Sequence, residues 1–307
     1  MNKFIVTTTI NAPTLALNKF ASLKDWTLIV VGDLKTPHYY YNKNNNIIYL
    51  NPKDQEKISK KLSDLIGWNC IQRRNFGYIL AYKMGADLIA TVDDDNIPYQ
   101  SWGKELLVNK KIKVDYYSTQ NVAFDPLAIF NFKQKIWHRG FPIQLLEYRK
   151  NFIKKRKFSF FSIQANLWNL APDIDAINRI NLLHENFKFK NINPYSSNAF
   201  IPFNSQNTIL TRNVVRKYFL FPHVGRMDDI WAAYYVQSLG FKVVFNNATV
   251  YQARNYHNIY DDFNKEIIGY KNNLNLIFNL KKNSKLIKRF LPKKSYQALK
   301  VYEKLFI

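Results

Sequence analysis

The sequence predicts an α/β fold with a mostly parallel central sheet and helices on both faces. Two observations support this prediction. Strand-like and helix-like segments alternate through roughly the first hundred residues, and the strand-like segments are short apolar runs that end in polar residues. Strands that alternate with helices form parallel sheets covered by helices, and ligands bind such sheets beyond the carboxyl ends of the strands.

The elements of the first third follow from local patterns. β-Branched residues predict a first strand at KFIVTTTI, and apolar runs predict three more at WTLIVVGD, NIIYL and DLIATVDDD. Helical spacing predicts helices at PTLALNKFASL, DQEKISKKLSDLI and NFGYILAYKMGA, the last of them closed by Gly85. The polar ends of these strands are expected to face one crevice.

The later part of the chain is less regular. We expect a strand followed by a helix at PFNSQNTILTRNVV, a helix at RMDDIWAAYYVQSLG and a pair of strands at FKVVFNNATVYQARN. No internal repeat and no Pro/Gly-rich linker divides the sequence. We therefore predict one catalytic domain over residues 1–270, followed by a basic, amphipathic extension over 271–307.

Composition limits the class of protein. The 307 residues are 47% hydrophobic and 16% aromatic, which suits a large core and not a disordered chain. The single cysteine, Cys70, excludes an intramolecular disulfide and a cysteine-based zinc cluster. The N-terminal apolar run is too short for a signal peptide, and no segment approaches the ~20 apolar residues of a membrane span. We expect a soluble, cytoplasmic protein.

The formal net charge of +23 predicts attraction to the phosphates of nucleotides, nucleic acids or anionic lipids. Part of the excess is ascribed to a general abundance of Lys, Asn and Ile. No RNP-like aromatic motif, helix-turn-helix signature or zinc knuckle is present, so we expect no nucleic-acid partner.

Basic residues are concentrated near the C-terminus, where residues 281–304 carry nine lysines and arginines against the single acid Glu303. Apolar residues are interleaved with them. Such a segment can lie on an anionic membrane surface, as a peripheral contact at the inner face, or pack on its own domain with a solvated lysine face. The sequence does not decide between these alternatives.

Three consecutive aspartates, Asp93, Asp94 and Asp95, follow the apolar run Leu88–Val92. Neighbouring carboxylates repel one another and are costly to bury unless a cation compensates them. Because side chains alternate along a strand, Asp93 and Asp95 point in a similar direction and suit a hard divalent cation, Mn²⁺ or Mg²⁺. Such a cation would neutralise a diphosphate leaving group. The alternative is an acidic turn, and the preceding apolar strand favours the metal.

A strand that ends in Asp-x-Asp after an α/β half resembles the GT-A glycosyltransferases, in which this motif holds the metal on a nucleotide-sugar diphosphate. Five segments make the resemblance more specific: TTTINAPTLALNKFASLKDWTLIVVGDLKTP, RRNFGYILAYKMGADLIATVDDDN, WHRGFP, PFNSQNT and RMDDIWAAYYVQ. In this order they are similar to the STELLO-type (DUF288-like) glycosyltransferase family, from about residue 4 to about residue 270. The resemblance implies a GT-A-like fold, a DxD metal motif and a UDP-sugar donor.

The blocks DDDN, RGFP, LWNLAPDIDA and MDDIWAAY are also similar to the reversibly glycosylated polypeptides, which act as UDP-arabinopyranose mutases. That family carries a reactive arginine in an Arg-Gly-Tyr-Pro motif, which Arg139 matches. The mutases have cysteine where this chain has Asn96, and they lack the TTINAPT block. The second departure favours the STELLO type.

The resemblance implies a nucleotide site at the strand ends. Threonines at the end of the first strand would meet a uracil base, an aspartate would accept hydrogen bonds from base or ribose, and arginines at a helix N-terminus would bind phosphate oxygens. The predicted nucleotide-binding residues are Thr8, Thr9, Asp33, Arg73, Arg74, Asn75 and Asp94. Ordinary strand, turn and salt-bridge roles are the alternatives.

Three further residues receive roles from the resemblance, and a histidine receives one from its chemistry. Arg139 would clamp the diphosphate or, as in the mutases, carry sugar. One of Asp228 and Asp229 is a candidate acceptor-binding group or general base, although the helix dipole alone favours acids in a first turn. His257 is a candidate third metal ligand, although a lone histidine is more often structural.

The sequence therefore predicts a metal-dependent glycosyltransferase that takes a UDP-sugar donor and a glycan or glycolipid acceptor, in surface polysaccharide or glycolipid biosynthesis. The alternative is a nucleotide-sugar mutase that depends on Arg139 and turns over the donor alone. The net charge alone would suggest a third hypothesis, a nucleic-acid-binding or scaffold protein.

Overall fold

The computed structural model describes residues 1–42, 47–171, 173–182, 186–252 and 258–306. Within these ranges, eleven strands form a single sheet flanked by helices. The strands are β1 (Lys3–Thr9), β2 (Thr27–Gly32), β3 (Ile47–Leu50), β4 (Leu88–Val92), β5 (Asn96–Pro98), β6 (Lys111–Ser118), β7 (Ile153–Phe160), β8 (Ile163–Leu170), β9 (Tyr195–Ser197), β10 (Asn207–Thr211) and β11 (Val243–Gln252).

The sheet order is β3-β2-β1-β4-β10-β8-β11-β9-β6-β7, and β5 pairs with β11 outside this sequence. The first four strands run parallel, as predicted. Beyond β4 the sheet is mixed, because β10 runs antiparallel to both β4 and β8. The α/β class with a large central sheet is confirmed.

Helices connect and cover these strands. The α-helices in the described ranges are α1 (Leu15–Ala21), α2 (His38–Asn42), α3 (Pro52–Ile66), α4 (Arg74–Lys83), α5 (Ala176–Asn181), α6 (Arg212–Val215), α7 (Asp228–Ser238), α8 (Ile259–Lys282) and α9 (Lys293–Lys304). The 3-10 helical turns are Ile71–Arg73, Pro126–Ile129, Ile143–Tyr148, Gly225–Met227 and Ser284–Arg289.

Helix α4 packs closely on β1 and β2 because of one glycine. A Cβ atom at Gly77 would lie 2.4 Å from a methyl of Val6 and 2.8 Å from a methyl of Val31, so a larger residue would push the helix away from the sheet. Gly85 follows the helix with φ +81°, a conformation that favours glycine, as predicted. This packing brings the N-terminal turn of α4 beside the ends of the strands.

The carboxyl ends of β1, β2 and β4 meet at one edge of the sheet. The register pairs Thr9 with Gly32 at the ends of β1 and β2, and Val6 with Thr91 between β1 and β4. The aspartate triplet follows directly after Val92, the last residue of β4. The predicted crevice therefore lies at the carboxyl ends of three regularly paired parallel strands, β1, β2 and β4.

The segment FKVVFNNATVYQARN was predicted to form two strands, and this prediction is wrong. Its described residues form the single strand β11 (Val243–Gln252), which pairs with β8 along most of its length. The register shifts between Asn246 and Val250, so an irregularity bends the strand without ending it. Pairing with β8 on both sides of the irregularity keeps the chain extended through the polar residues Asn246, Asn247 and Thr249.

The basic C-terminal segment packs on the domain. Its apolar side chains are buried in the main core, among them Ile287, Leu291, Leu299, Tyr302 and Phe306. The hydroxyl of Tyr302 donates to the backbone oxygen of Val215 at 2.8 Å, while all nine lysines and arginines of 281–304 are exposed. Of the two alternatives for this segment, the structure shows the packed helix with a solvated basic face.

The predicted boundary between the catalytic domain and the C-terminal extension falls at residue 270, which lies inside helix α8. This division of the chain stays a prediction.

In the part of the chain that the structure describes, no helix combines the length and apolarity that a membrane span requires.

Candidate active site

A cavity of about 670 Å³ opens at the carboxyl ends of β1, β2 and β4. Most of the predicted site residues line it. Its lining includes Thr8, Thr9, Asp33, Arg74, Asp93, Asp94, Asp95, Arg139, Asp228 and Asp229. Residues separated by more than a hundred positions in sequence are thus brought to one polar cleft.

Asp93 is paired with a buried arginine. Arg74 is 1% exposed, and its Nη2 lies 2.6 Å from Oδ1 of Asp93. The Nη1 of the same arginine donates to the backbone oxygen of Ser205 at 2.9 Å, which fixes the guanidinium against the strand ends. Burial raises the pKa of Asp93, and Arg74 opposes part of that rise. Arg74 therefore faces the cavity with one of its two Nη groups already bound to the triplet.

Asp95 is the least compensated member of the triplet. Its carboxylate accepts a hydrogen bond from Nε2 of Gln252 at 3.1 Å. Its Oδ1 is buried and has no hydrogen-bond partner among the described residues. Burial, followed by the charge of Asp93, raises the pKa of Asp95 to about 7. A buried carboxylate oxygen without a donor suits a cation.

Asp94 holds the loop that follows β1. Its carboxylate accepts from Oγ1 of Thr9 at 2.5 Å and from Nδ2 of Asn11 at 3.1 Å. Its backbone oxygen accepts from Oγ1 of Thr14, which also caps the N-terminus of α1. This aspartate therefore connects the triplet to the threonines of β1.

The oxygen donor set of the triplet fits a hard divalent cation. Among the described residues, no three His, Cys, Asp or Glu side chains are grouped as a complete protein-only metal site. A cation bound between Asp93 and Asp95 would take its other ligands from water and phosphate, as Mg²⁺ commonly does. His257, the third predicted ligand, lies outside the described residues.

Asp229 is held by a buried ionic network. Arg139 donates from Nη2 to both of its oxygens, at 3.0 and 3.1 Å, and from Nε to both oxygens of Asp173, at 2.8 Å. The remaining nitrogen, Nη1, donates to the backbone oxygen of Arg226. Burial alone would lower the pKa of Arg139, but the two carboxylates hold it well above its usual value. Every nitrogen of this guanidinium is occupied within the protein.

Asp228 lies next to this network but is held differently. Its Oδ2 accepts a hydrogen bond from Nε2 of Gln72 at 2.8 Å. Burial, followed by the neighbouring charge of Asp229, raises the pKa of Asp228 to about 7. Since Asp228 also lines the cavity, it is placed to exchange a proton near neutral pH.

Two proteins of Arabidopsis thaliana are similar to this chain over much of its length. The chain is 24% identical to probable glycosyltransferase STELLO1 over 261 residues, covering 77% of this chain and 33% of that protein. It is 22% identical to probable glycosyltransferase STELLO2 over 191 residues, covering 57% of this chain and 24% of that protein. The resemblance to the STELLO type is confirmed.

The chain spans about a third or less of the length of these relatives, and no protein-family model matches it. The similarity to the reversibly glycosylated polypeptides receives no support from these comparisons.

Two of the predicted nucleotide-binding residues, Arg73 and Asn75, do not line the cavity. Arg73 turns into the core, where its Nε donates to Gln55 at 2.7 Å and its guanidinium stacks 3.6 Å from the ring centre of Trp68. Asn75 donates to and accepts from the backbone of Leu220, at 2.9 and 3.0 Å. The structure therefore gives both side chains packing roles within the STELLO-like segment RRNFGYIL, and Arg74 alone of the three reaches the cavity.

Asp33 lines the cavity, but its carboxylate is engaged with the backbone. Oδ1 accepts from the amide of Leu34 at 2.7 Å, and Oδ2 accepts from the amide of Cys70 at 3.1 Å. The carboxylate thereby ties the end of β2 to the turn that precedes α4. The side chain of Thr8 contributes a hydroxyl that accepts from Nη2 of Arg74 at 3.3 Å.

Sequence reasoning missed several residues that organise the cleft. Gln72 and Gln252 hold Asp228 and Asp95, Asp173 anchors Arg139, and Ser205 donates its backbone amide to Asp229 at 3.0 Å. Asp173 and Ser205 lie inside segments already noted, LWNLAPDIDA and PFNSQNT. No local pattern distinguishes the two glutamines, because their partners are 156 and 157 residues away in sequence.

Proposed function

We propose that this chain is a glycosyltransferase that uses a nucleotide-diphospho-sugar donor, UDP-linked, and a glycan or glycolipid acceptor. The observation that carries the proposal is the single cleft at the strand ends. It joins an oxygen-rich aspartate triplet to a second acidic pair with a carboxylate that titrates near neutrality. The names of the two STELLO relatives support the same reaction class.

The triplet is the proposed diphosphate end of the cleft. Asp93 and Asp95 would hold a divalent cation, Mn²⁺ or Mg²⁺, which when bound neutralises charge on the departing diphosphate. Arg74 adds a positive charge beside the triplet, and it is already oriented by Ser205 and Asp93. Thr8 and Asp33 border this end and would flank the nucleoside.

Asp228 is the proposed general base. An acceptor hydroxyl oxygen attacks the anomeric carbon of the donor while the bond from that carbon to the diphosphate oxygen breaks. UDP leaves with the electron pair, and the hydroxyl proton passes to Asp228. A carboxylate with a pKa of about 7 is available in its charged form at neutral pH and is basic enough to accept that proton.

Arg139 and Asp229 are proposed to position this base. Asp229 begins α7 next to Asp228, and the two contacts from Arg139 fix the first turn of that helix. The mutase alternative requires Arg139 as a nucleophile. A guanidinium that is buried, charged and bonded through all three nitrogens is poorly suited to attack, so we do not propose that activity.

The test is UDP release from a panel of UDP-sugars incubated with the protein and Mn²⁺, with water as a slow substitute for the acceptor. We expect at least one donor to be turned over, and Asp95→Asn to lower its rate by about two orders of magnitude or more. Asp64→Asn changes an exposed aspartate on α3 and should leave the rate unchanged. Equal UDP release by Asp95→Asn and the wild type would contradict the proposed site.

A further inference from the structure

The sheet ends in an exposed, strongly basic pair of strands. β6 (Lys111–Ser118) and β7 (Ile153–Phe160) pair antiparallel over their full length, and β7 is the edge strand of the sheet. We call this pair the basic ribbon. Its cations are Lys111, Lys113, Lys154, Lys155, Arg156 and Lys157. Its single acid, Asp115, is buried and paired with Lys154 at 2.8 Å, so the outward charge is strongly positive.

Two phenylalanines are exposed on the same ribbon. Phe158 is 56% exposed and Phe160 is 60% exposed. The register places Phe158 opposite Lys113 and Phe160 opposite Lys111, so all four side chains share one face. The ammonium groups of Lys111 and Lys113 lie 5.9 and 6.0 Å from the ring centre of Phe158. This face of the ribbon therefore combines exposed aromatic surface with lysine side chains at the end where Lys111 pairs with Phe160.

Protection of an open edge strand accounts for only part of this pattern. Lysines on an edge strand prevent pairing with a second sheet. Two exposed phenyl rings have the opposite effect in water, since they add apolar surface at the edge. Cations next to exposed aromatic side chains are instead the combination that holds a protein at the surface of an anionic bilayer.

The C-terminal segment makes a useful contrast. It is as basic as the ribbon, but its apolar side chains, including Leu299 and Phe306, are buried in the core. It can attract phosphate only through its charges. The ribbon has both charge and free apolar surface, and so it is the better membrane contact of the two.

We propose that the basic ribbon binds the surface of an anionic lipid bilayer, with Phe158 and Phe160 entering the headgroup region and the lysines contacting lipid phosphates. The amide of Thr211 donates to the backbone oxygen of Ser162, two residues beyond β7, and Thr211 pairs with Leu88 at the amino end of β4. The Phe160 end of β7 therefore lies toward the edge of the sheet opposite the cavity. The proposal does not depend on any activity of the cavity.

The test is cosedimentation of the full chain with vesicles of phosphatidylcholine alone and of phosphatidylcholine mixed with phosphatidylglycerol. We expect binding to the anionic vesicles that weakens as salt is added. Lys111→Gln together with Lys113→Gln should weaken binding by about fivefold for each lysine. Phe158→Ser together with Phe160→Ser should weaken it by roughly tenfold, since the rings supply the apolar contact.

Matched controls lie elsewhere on the surface. Phe278→Ser changes a phenylalanine that is 49% exposed on α8, and Lys288→Gln with Arg289→Gln removes two exposed charges of the C-terminal segment. We expect both controls to bind as the wild type does, and circular dichroism to show all variants folded. Wild-type protein that ignores anionic vesicles, or ribbon variants that bind them normally, would overturn the proposal. Binding of a single-stranded oligonucleotide without vesicle binding would assign the ribbon to nucleic acid instead.

Discussion

Two acidic clusters line the cavity, the aspartate triplet at 93–95 and the aspartate pair at 228–229. Their contacts are alike in two ways and differ in one. In each, a buried arginine pairs with one aspartate, Arg74 with Asp93 and Arg139 with Asp229. In each, a glutamine side-chain amide donates a hydrogen bond to a second aspartate: Gln252 to Asp95, and Gln72 to Asp228. Burial raises the pKa of both of these aspartates to about 7.

The difference between the clusters lies in the surroundings of that second aspartate. Asp95 follows two further carboxylates and has a buried oxygen without a donor among the described residues, so the local field favours a cation. Asp228 stands beside a carboxylate that Arg139 already compensates. Such a position favours proton exchange over cation binding, which is why we assign a metal to the first cluster and a base to the second.

The largest expected effect separates the two aspartates by function. Asp228→Asn removes the proposed base and should lower kcat by about 10²- to 10⁴-fold, because general base catalysis is worth that much. Binding of UDP should be unchanged, since the triplet is intact. Initial rates and UDP titrations on the same preparations measure both quantities. A variant that loses UDP binding along with kcat would place Asp228 in the donor site and remove the distinction between the clusters.

The arginines should differ in their effect on stability. Arg139→Ala leaves Asp173 and Asp229 buried without their partner and should lower the free energy of unfolding by about 3–5 kcal/mol. Arg74→Ala should cost less, because the side chain of Asp93 is 18% exposed and can take up a proton. Urea denaturation measures both, with Arg216→Ala on the surface as the control. A larger loss for Arg74→Ala than for Arg139→Ala would contradict this order.

The pH dependence of kcat/KM should reflect the ionisation of the Asp228 carboxyl group. A general base works only when deprotonated, so kcat/KM should rise with pH through about 7, where the pKa of Asp228 lies. The hydrogen bond from Gln72 lowers that pKa, because it stabilises the charged form. Gln72→Leu should therefore move the rising limb to higher pH, by up to about one unit. Gln297→Leu, an exposed change on α9, should leave the profile in place.

The smallest expected effect concerns the loop that supports the triplet. Thr14 caps α1 and donates to the backbone oxygen of Asp94, so Thr14→Ala should cost about 1 kcal/mol of stability. Asn258 caps α8, and Asn258→Ala should cost a similar amount. Thermal denaturation compares the two. Only Thr14→Ala should also weaken UDP binding, and equal affinities for both variants would show that the loop does not support the site.

Some of this arrangement was predictable from sequence, for local reasons. β-Branched runs and helical spacing located β1–β4, α1, α3 and α4, and in a parallel sheet the strand ends must meet at one edge. That argument alone brings Thr9, Asp33 and Asp93 close together. Patterns within a few residues also located α7 with its two leading aspartates.

The rest depends on contacts between distant residues. Arg73, Arg74 and Asn75 are consecutive, and only packing of α4 on the sheet decides that Arg74 alone faces the cavity. Likewise, Arg139 appeared to be a free clamp in the sequence, because its partner Asp229 is 90 positions away. The strands β6 to β9 were not predicted, since their pairing joins segments separated by long irregular connections.

The most direct test of the aspartate triplet is calorimetric titration of UDP into the wild-type protein, with Mn²⁺ and with a chelator, and into the double variant Asp93→Ala, Asp95→Ala. We expect UDP binding that requires the metal and is lost in the double variant, while circular dichroism shows that both proteins are folded. UDP binding that persists in the chelator and in the variant, or a folded wild type that binds no UDP under either condition, would contradict the assignment of the triplet to a nucleotide-sugar diphosphate.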